Sequence, residues 1–231
     1  MKSLDYTFAD AARNLALDEV LLQQADQHGE VLRFWESTTP FVVLGLNQKI
    51  RDEVRVERCD ALGIPITRRC SAGGCVVQGP GCLNFTLVLS INGRPEIATI
   101  RDSYAYILNR IVRELNIPDL GTAGISDLAV GDRKVSGNAQ RRRKHYILHH
   151  GTVLYEADLE QFSSLITEPV ARPEYRSDRT HDAFVTNLDV SREQLIDAIS
   201  GAFAVETVDL KIDGAMLERS AALAREKYEL D

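Results

Sequence analysis

Residues 68–84 read RRCSAGGCVVQGPGCLN. Two adjacent arginines, Arg68 and Arg69, run into the small-residue turn Ser71-Ala72-Gly73-Gly74. The apolar pair Val76-Val77 follows, then a second tight turn, Gly79-Pro80-Gly81. Guanidinium groups supply charge and forked donors, and glycines let backbone N–H groups come close, so the segment suits an anion: a phosphate or a carboxylate. No Gly-Lys-Ser/Thr follows, which separates it from a Walker-type loop. Strands are predicted near 64–69, 74–78 and 83–91, with Arg68 and Arg69 ending the first.

Outward from this stretch, residues 11–28 read as a helix, with Leu15, Leu17, Val20, Leu21 and Leu22 on one side and Asp18, Glu19, Gln23 and Gln24 on the rest. Strands are expected at 31–36 and 41–46, and a short helix at 51–61 that Gly63 stops. A helix over 99–115 carries Tyr104, Ile107, Leu108, Ile111 and Leu115 at helical spacing. Strands at 126–130 and 133–140 flank Gly131-Asp132, a hairpin turn signal. A strand at 146–155 contains His149-His150-Gly151-Thr152, and residues 158–168 read as helix. Residues 169–190 are rich in loops, and helices at 191–203 and 214–228 flank a strand at 205–210. Strands and helices mix without a βαβ rhythm. The expectation is therefore α+β: mixed, mostly antiparallel sheets flanked by helices, in one domain over residues 1–231.

The composition narrows the function. Hydrophobic residues make up 44% of the 231, enough for a sizeable core. A net charge of −7 argues against general affinity for nucleic acid. The four cysteines, at 59, 70, 75 and 82, form no CxxC pair and have no histidine among them, so reduced, partly buried thiols are expected rather than a zinc site. No signal-peptide pattern and no apolar run long enough to span a bilayer are seen, so the expectation is a cytoplasmic protein with no membrane partner.

Several residues can carry chemistry. Lys134 lies just past the hairpin turn, and Ser136-Gly137-Asn138-Ala139 after it has the composition of backbone pressed against a ligand. A lysine beside such a surface can stabilise charge developing on a phosphate and a carbonyl oxygen. His149 and His150 are neighbours on a strand and so face opposite sides, one inward and one toward a groove. The basic run Arg141-Arg142-Arg143-Lys144 reads as a solvated hairpin loop or a contact for an acidic partner. Cys75, beside two arginines, is a candidate for a lowered pKa and nucleophilic work, though no histidine or acid stands near it in sequence.

Taken together these segments resemble the lipoate–protein ligases, within the wider biotin/lipoate ligase and octanoyltransferase superfamily. NLALDEVLL at 14–22 resembles the family's opening helix, and VVLGLNQ at 42–48 the strand ending in Asn-Gln. RRCSAGGCVVQGPG at 68–81 is similar to its Arg-Arg-x-Ser-Gly-Gly-Gly signature. Residues 127–159 contain a Lys-Val-Ser-Gly segment and a later His-Gly-Thr strand, and RPEYR at 172–176 and LAREKY at 223–228 fit more weakly. The resemblance implies a biotin/lipoate ligase-like catalytic domain that activates lipoate or octanoate with ATP as an acyl-adenylate. The acyl group then passes to a lysine of a lipoyl carrier domain. It implies Arg69 and Lys134 around the acyl group and phosphates, with Lys134 as the catalytic cation. Ser71, Gly73, Gly74, Cys75, Val76, Val77, Asp127 and His149 would lie by the nucleotide and adenylate. Mg2+ is implied by the ATP chemistry, with ligands unknown.

The chain departs from the pattern in places. Ala72 replaces the middle glycine of the triplet, which matters only if that position needs positive φ. Gln78 stands where many members have histidine. Larger ligases carry a C-terminal accessory domain absent from this chain, so a separate accessory polypeptide is an implied partner. The runner-up is an ATP-independent octanoyl- or lipoyltransferase. Such relatives use a cysteine in the loop before the lysine segment, and here that loop, residues 121–126, reads GTAGIS. A biotin ligase is disfavoured because its Gly-Arg-Gly-Arg turn is missing. A non-catalytic module is disfavoured because Arg69, Lys134 and the glycine pair are intact.

Overall fold

The side chain of Asp10 accepts hydrogen bonds from the N–H groups of Ala12 and Arg13, donors with no partner inside the first helical turn, and helix α1 (Ala11–Gln23) follows. The computed structural model describes residues 1–169, 172–205 and 208–228. Its other α-helices are α2 (Ala25–His28), α3 (Ile50–Glu53), α4 (Val56–Leu62), α5 (Ile100–Leu115), α6 (Leu159–Leu165), α7 (His181–Phe184), α8 (Arg192–Ala202) and α9 (Gly214–Leu223). The strands are β1 (Lys2–Asp5), β2 (Val31–Trp35), β3 (Phe41–Leu44), β4 (Ile66–Arg68), β5 (Val76–Gln78), β6 (Cys82–Ser90), β7 (Leu120–Ala123), β8 (Asp127–Val130), β9 (Arg133–Arg142) and β10 (Tyr146–Leu154).

Seven strands form one sheet in the order β1-β2-β6-β10-β9-β8-β7, and three form a smaller one, β4-β3-β5. The pairs β1–β2 and β3–β4 are parallel and the other neighbours antiparallel, so the α+β expectation holds. Alternation along β6 and β10 sorts the large sheet's two faces. Phe85, Leu87, Ile147 and Val153 pack with Ile107, Leu108 and Ile111 of α5 and Leu195 and Ile199 of α8. Val88 and Leu148 pack with α1 and with Met216 and Leu223 of α9. A third cluster joins Val42, Leu44 and Val77 of the small sheet to Cys59 of α4 and Phe162 and Leu165 of α6. No helix among the described residues is long and apolar enough to cross a membrane.

The differences from the sequence expectations have local causes. The helix expected at 51–61 breaks into α3 and α4, because Val54 turns extended and bridges Ile166. The same bridge partner ends the helix expected over 158–168 at Leu165. The helix at 11–28 breaks at Gln24. Gly63 caps α4 in the left-handed region, as expected. Arg141 and Arg142 belong to β9, not to a loop. Arg141 donates to the carbonyl of Cys70, and Arg142 to those of Ile97, Ala98 and Thr99. The short strands β1 and β7 carry too few apolar residues to announce themselves. Of the strand expected at 205–210, residues 206 and 207 lie outside the described residues, and Asp209 bridges Ser3 of β1. The final helix continues past α9 as a π-helical turn, Ala224–Tyr228.

The largest correction concerns α1. Asp18 and Glu19 are buried with the leucines. Asp18 Oδ1 takes a hydrogen bond from Nη1 of Arg33 on β2 at 2.5 Å, and neither side chain is more than 1% exposed. Arg33 spends its remaining donors on the carbonyls of Tyr6 and Asn14 and on Asn14 Oδ1. Glu19 accepts from Lys227 and from the Tyr228 hydroxyl of the C-terminal turn. Burial alone would raise the Asp18 carboxyl, but the Arg33 charge, with His150 and Thr86, overrides it and holds the group below the ordinary carboxylate range. Arg33 is itself lowered, because burial outweighs what Asp18 returns, yet from so high a start it stays charged at neutral pH.

Removing one member of this pair strands the other in the core, so Arg33→Met is expected to lower unfolding free energy by about 3–5 kcal/mol in urea titrations. The Asp18 contribution has the sign of a depressed carboxylate. It is present in full above about pH 4, the unfolded value, and is lost as pH falls through the folded one. Acid titration of the wild type should show this loss, and Arg33→Met should flatten it.

Candidate active site

Arg69 is a buried charge held by neutral partners. It follows β4 and is 8% exposed. Its Nε donates to Ser71 Oγ at 3.1 Å and its Nη2 to the Ala72 carbonyl at 3.0 Å. No carboxylate pairs with it among the described residues, and burial pushes its pKa down, opposed only by Cys75, Cys70 and Tyr104. A desolvated guanidinium without a counter-ion is a standing demand for an anion. Arg68, expected beside it, is used differently: its Nη1 donates to the carbonyls of Gly45, Leu46 and Gln48 and braces the loop after β3.

Two close approaches shape the turn around Arg69. Gly73 has φ +110°, and a Cβ there would stand 2.7 Å from Arg69 Nη2. A Cβ on Gly45 would stand 2.0 Å from the Gly73 carbonyl oxygen. Ala72 is not among the positive-φ residues, so alanine fits without strain. Gly74 also lacks positive φ, and a Cβ there would meet nothing within 4 Å. Of the two remaining glycines of the signature, only Gly73 is conformationally required.

Arg69, Gly73, Gly74, Cys75, Val76 and Val77 line one side of a cavity of about 320 Å³. Asp127 of β8 and Lys134 of β9 line the same cavity. Lys134 Nζ lies 2.8 Å from Asp127 Oδ1, and the Tyr175 hydroxyl donates to Asp127 Oδ2 at 2.7 Å. A register shift at Leu128/Ala129 interrupts the β8–β9 ladder beside Lys134, and Asp127 sits opposite Gly137. The lysine side chain folds back over that glycine, where a Cβ would stand 2.9 Å from Nζ.

Two expected site residues sit elsewhere. His149 is fully buried on the α5 face, with ring centroids 5.9 Å from Phe85 and 5.5 Å from Tyr104. It contacts Gln140 and Asn138, and burial, with His150, pushes it down to about 3, so it is neutral. The alternation of β10 puts His150 on the cavity instead, with Thr152 and Leu154. The pair His149-His150 does not say which member faces inward; the pairing of β10 with β6 decides it. Ser71 does not line the cavity. It lies 1% exposed behind Arg69, with Oγ 2.6 Å from His150 Nε2.

Other lining residues left no signal as a site. Asp18, Trp35, Asn84 and Thr86 come from helix and strand positions that read as ordinary amphipathic pattern. Tyr175, which holds Asp127, lies in the loop segment RPEYR. Gln78 lines the cavity and donates to Thr152 Oγ1, which donates to Asn84. The apolar lining divides between two clusters: Leu15 and Trp35 belong to that of α1, and Leu154, Leu159, Phe162 and Ile166 to that beneath α6.

The thiols are poorly placed for nucleophilic work. Burial pushes Cys75 up to about 12, with Glu53 adding and Arg69 opposing, so the thiolate is scarce at neutral pH. Cys70 and Cys82 are raised by burial to about 11 and about 12, and Cys59 is raised as well. Because positive φ is required at Gly73 and not at Gly74, Gly73→Ala is expected to cost about 1–2 kcal/mol of stability and Gly74→Ala at most a few tenths, read from paired urea midpoints.

Residues 10–204 match the lipoyl protein ligase A/B catalytic domain family. The chain is 30% identical to an octanoyltransferase, LipM, of Carboxydothermus hydrogenoformans, covering 97% of this chain and 94% of that one. Of two longer sequence relatives it spans 60% and 56% of the length. Among solved structures it resembles a bi-partite lipoate protein ligase of Thermoplasma acidophilum, described with its E2 lipoyl domain, with a TM-score of 0.82 at 24% identity over 98% of this chain and 92% of that one. It also resembles a lipoate-protein ligase A bound with ATP, with a TM-score of 0.80 at 23% identity over 98% and 96%. These likenesses support the fold. With the match over residues 10–204 and the near full-length sequence relative, the chain belongs to the family of lipoyl protein ligase A/B catalytic domains.

Proposed function

We propose that this chain is an ATP-dependent lipoate–protein ligase, which activates lipoate or octanoate as an acyl-adenylate and passes the acyl group to a lysine of a lipoyl carrier domain. The observation that carries the reading is Arg69, a buried cation without an acidic partner among the described residues, lining one cavity with Lys134. Joining a carboxylate to the α-phosphate of ATP brings two anions together, and such a site offers two cations to meet them.

In this reading the acyl chain lies along Leu15 and Trp35, and the adenine among Leu154, Leu159, Phe162 and Ile166. The backbone of Gly73, Gly74, Cys75, Val76 and Val77 faces the nucleotide, with Asp127 nearby. Lys134 exchanges Asp127 for the substrate anions, and Gly137 leaves the ammonium room to move. A carboxylate oxygen attacks the α-phosphorus, the bond to the β-phosphate breaks, and pyrophosphate leaves. The carrier amine then attacks the acyl carbon. The carbon–oxygen bond to phosphate breaks, AMP leaves with its electrons, the amine proton passes to solvent, and an amide remains. Ser71 contributes by holding Arg69, and His149 stands outside the set. No three His, Cys, Asp or Glu side chains among the described residues are placed to hold an ion. Mg2+ would therefore arrive on the phosphates of ATP. A cytoplasmic setting, with free thiols and ATP, suits the reading. A separate accessory polypeptide, by analogy with the bi-partite Thermoplasma ligase, is an added partner in it.

The likeness to an octanoyltransferase favours a second reading, ATP-independent acyl transfer between carriers. Its covalent form uses an enzyme nucleophile to hold the acyl group. Residues 121–126 contain no cysteine, and the four thiols present are raised by burial.

The two separate in one assay. With ATP, lipoate and a lipoyl domain, pyrophosphate release should match the mass gained by the carrier. Lys134→Ala should lower the rate by roughly 10²–10³-fold, the loss typical of an electrostatic contact to developing charge. Acylation only from an octanoyl-carrier thioester, without ATP, would overturn the ligase reading.

A further inference from the structure

We propose that His150 is a positioning residue for Arg69, acting through the Ser71 hydroxyl along a directed hydrogen-bond chain, with the Asp18 carboxylate facing the far nitrogen of the ring. The kinetic consequence rests on the ligase reading above; the direction of the chain does not.

The direction follows from what each group can donate. A guanidinium only donates, so at 3.1 Å Ser71 Oγ accepts from Arg69 Nε. The hydroxyl has one proton, and its other partner is His150 Nε2 at 2.6 Å. With the ring neutral, that contact pairs every donor only if Ser71 gives its proton and Nε2 is bare. The ring proton then sits on Nδ1, which faces Asp18 Oδ2 at 3.8 Å. At that distance the carboxylate acts on the ring through its charge, and Arg33 occupies only its other oxygen. Arg69 thereby fixes the proton direction at Ser71 and the tautomer of His150, and those two groups fix Arg69 in return.

Arg69 is held at Nε by this chain and at Nη2 by the Ala72 carbonyl, and its Nη1 has no protein partner among the described residues. The guanidinium plane is locked, and the free donor is left for the anion in the cavity. Without the chain, Ser71 can turn its proton toward Arg69, and a cation that must meet a carboxylate and a phosphate in one geometry loses its support. A misplacement of this kind acts on the chemical step more than on ATP binding.

The first arm of the test needs no activity. Long-range ¹⁵N–¹H NMR of the wild-type imidazoles at about pH 8, where an ordinary ring is neutral, should assign His150 as the Nδ1–H tautomer. An Nε2–H tautomer overturns the proposal. The second arm is kinetic, using ATP, lipoate and a lipoyl domain. Ser71→Ala and His150→Leu should each lower kcat by roughly 100-fold with little change in the KM for ATP. His150→Gln, which can still accept from Ser71, should recover most of the loss. In an Arg69→Lys background, where no Nε–H remains to hold, Ser71→Ala and His150→Leu should have little further effect. Additive losses would mean that His150 acts independently of Arg69 and would overturn the proposal. If the wild type works only from acyl thioesters, the ligase reading fails and the same cycle is run on that reaction. If it works in neither assay, the tautomer alone decides, as it does if His150→Leu does not fold.

Discussion

Arg33 reaches from the second strand of the large sheet into the body of α1 and meets Asp18 where neither group touches water. An ion pair in that position fixes one helix against one strand, because any relative shift would leave a charge in the core with no partner. Much else follows. The helix must be buried on its polar side as well, so Glu19 needs its own cation, and Lys227 with Tyr228 supplies the contact that fastens the C-terminal turn over α1. The Tyr228 carbonyl accepts from Thr67 of β4, two residues before Arg69, so the same arrangement backs the strand that delivers the anion turn.

The cavity forms where the two sheets meet. The small sheet delivers Arg69 and the turn around it, and the large sheet delivers Lys134, Asp127 and His150. Each half depends on the absence of a side chain. Gly45 lets the Gly73 carbonyl approach, Gly73 leaves room for the guanidinium, and Gly137 leaves room for the lysine. The two cations are held differently. Lys134 is paired with a carboxylate, which in the proposed reaction it exchanges for substrate, whereas Arg69 has only neutral partners among the described residues. A pair of cations, one parked and one waiting, suits a reaction that joins two anions.

Membership of the family leaves the acyl donor open, since its members include ligases and octanoyltransferases. The thiols bear on that choice through burial. An acyl-enzyme thioester needs a thiolate, and burial, with acidic neighbours adding, shifts each cysteine here away from one. The argument concerns environment, and sequence proximity gave the opposite hint for Cys75, which lies near Arg69 and is nonetheless raised.

Much of the architecture was legible in one dimension. Turns and periodicity mark α1, α5, α8 and the β8–β9 hairpin, and Arg69, Gly73 and Lys134 were readable because small residues beside a cation are a local pattern, whereas Asp127 came only with the family resemblance. Where a helix breaks was not readable: Val54 leaves the helical path to pair with Ile166, a residue more than a hundred positions away. Nor was the choice between His149 and His150, which depends on the register of β10 against β6, or the role of Asp18, which looks like a solvated helix charge until Arg33 arrives beside it. The sequence by itself determined the elements and the cationic turn, because capping, alternation and glycine's freedom act over a few residues. Only the tertiary structure decided which charges are buried, which are paired and which face the cavity, because desolvation and ion pairing are set by neighbours that the chain brings together from far apart.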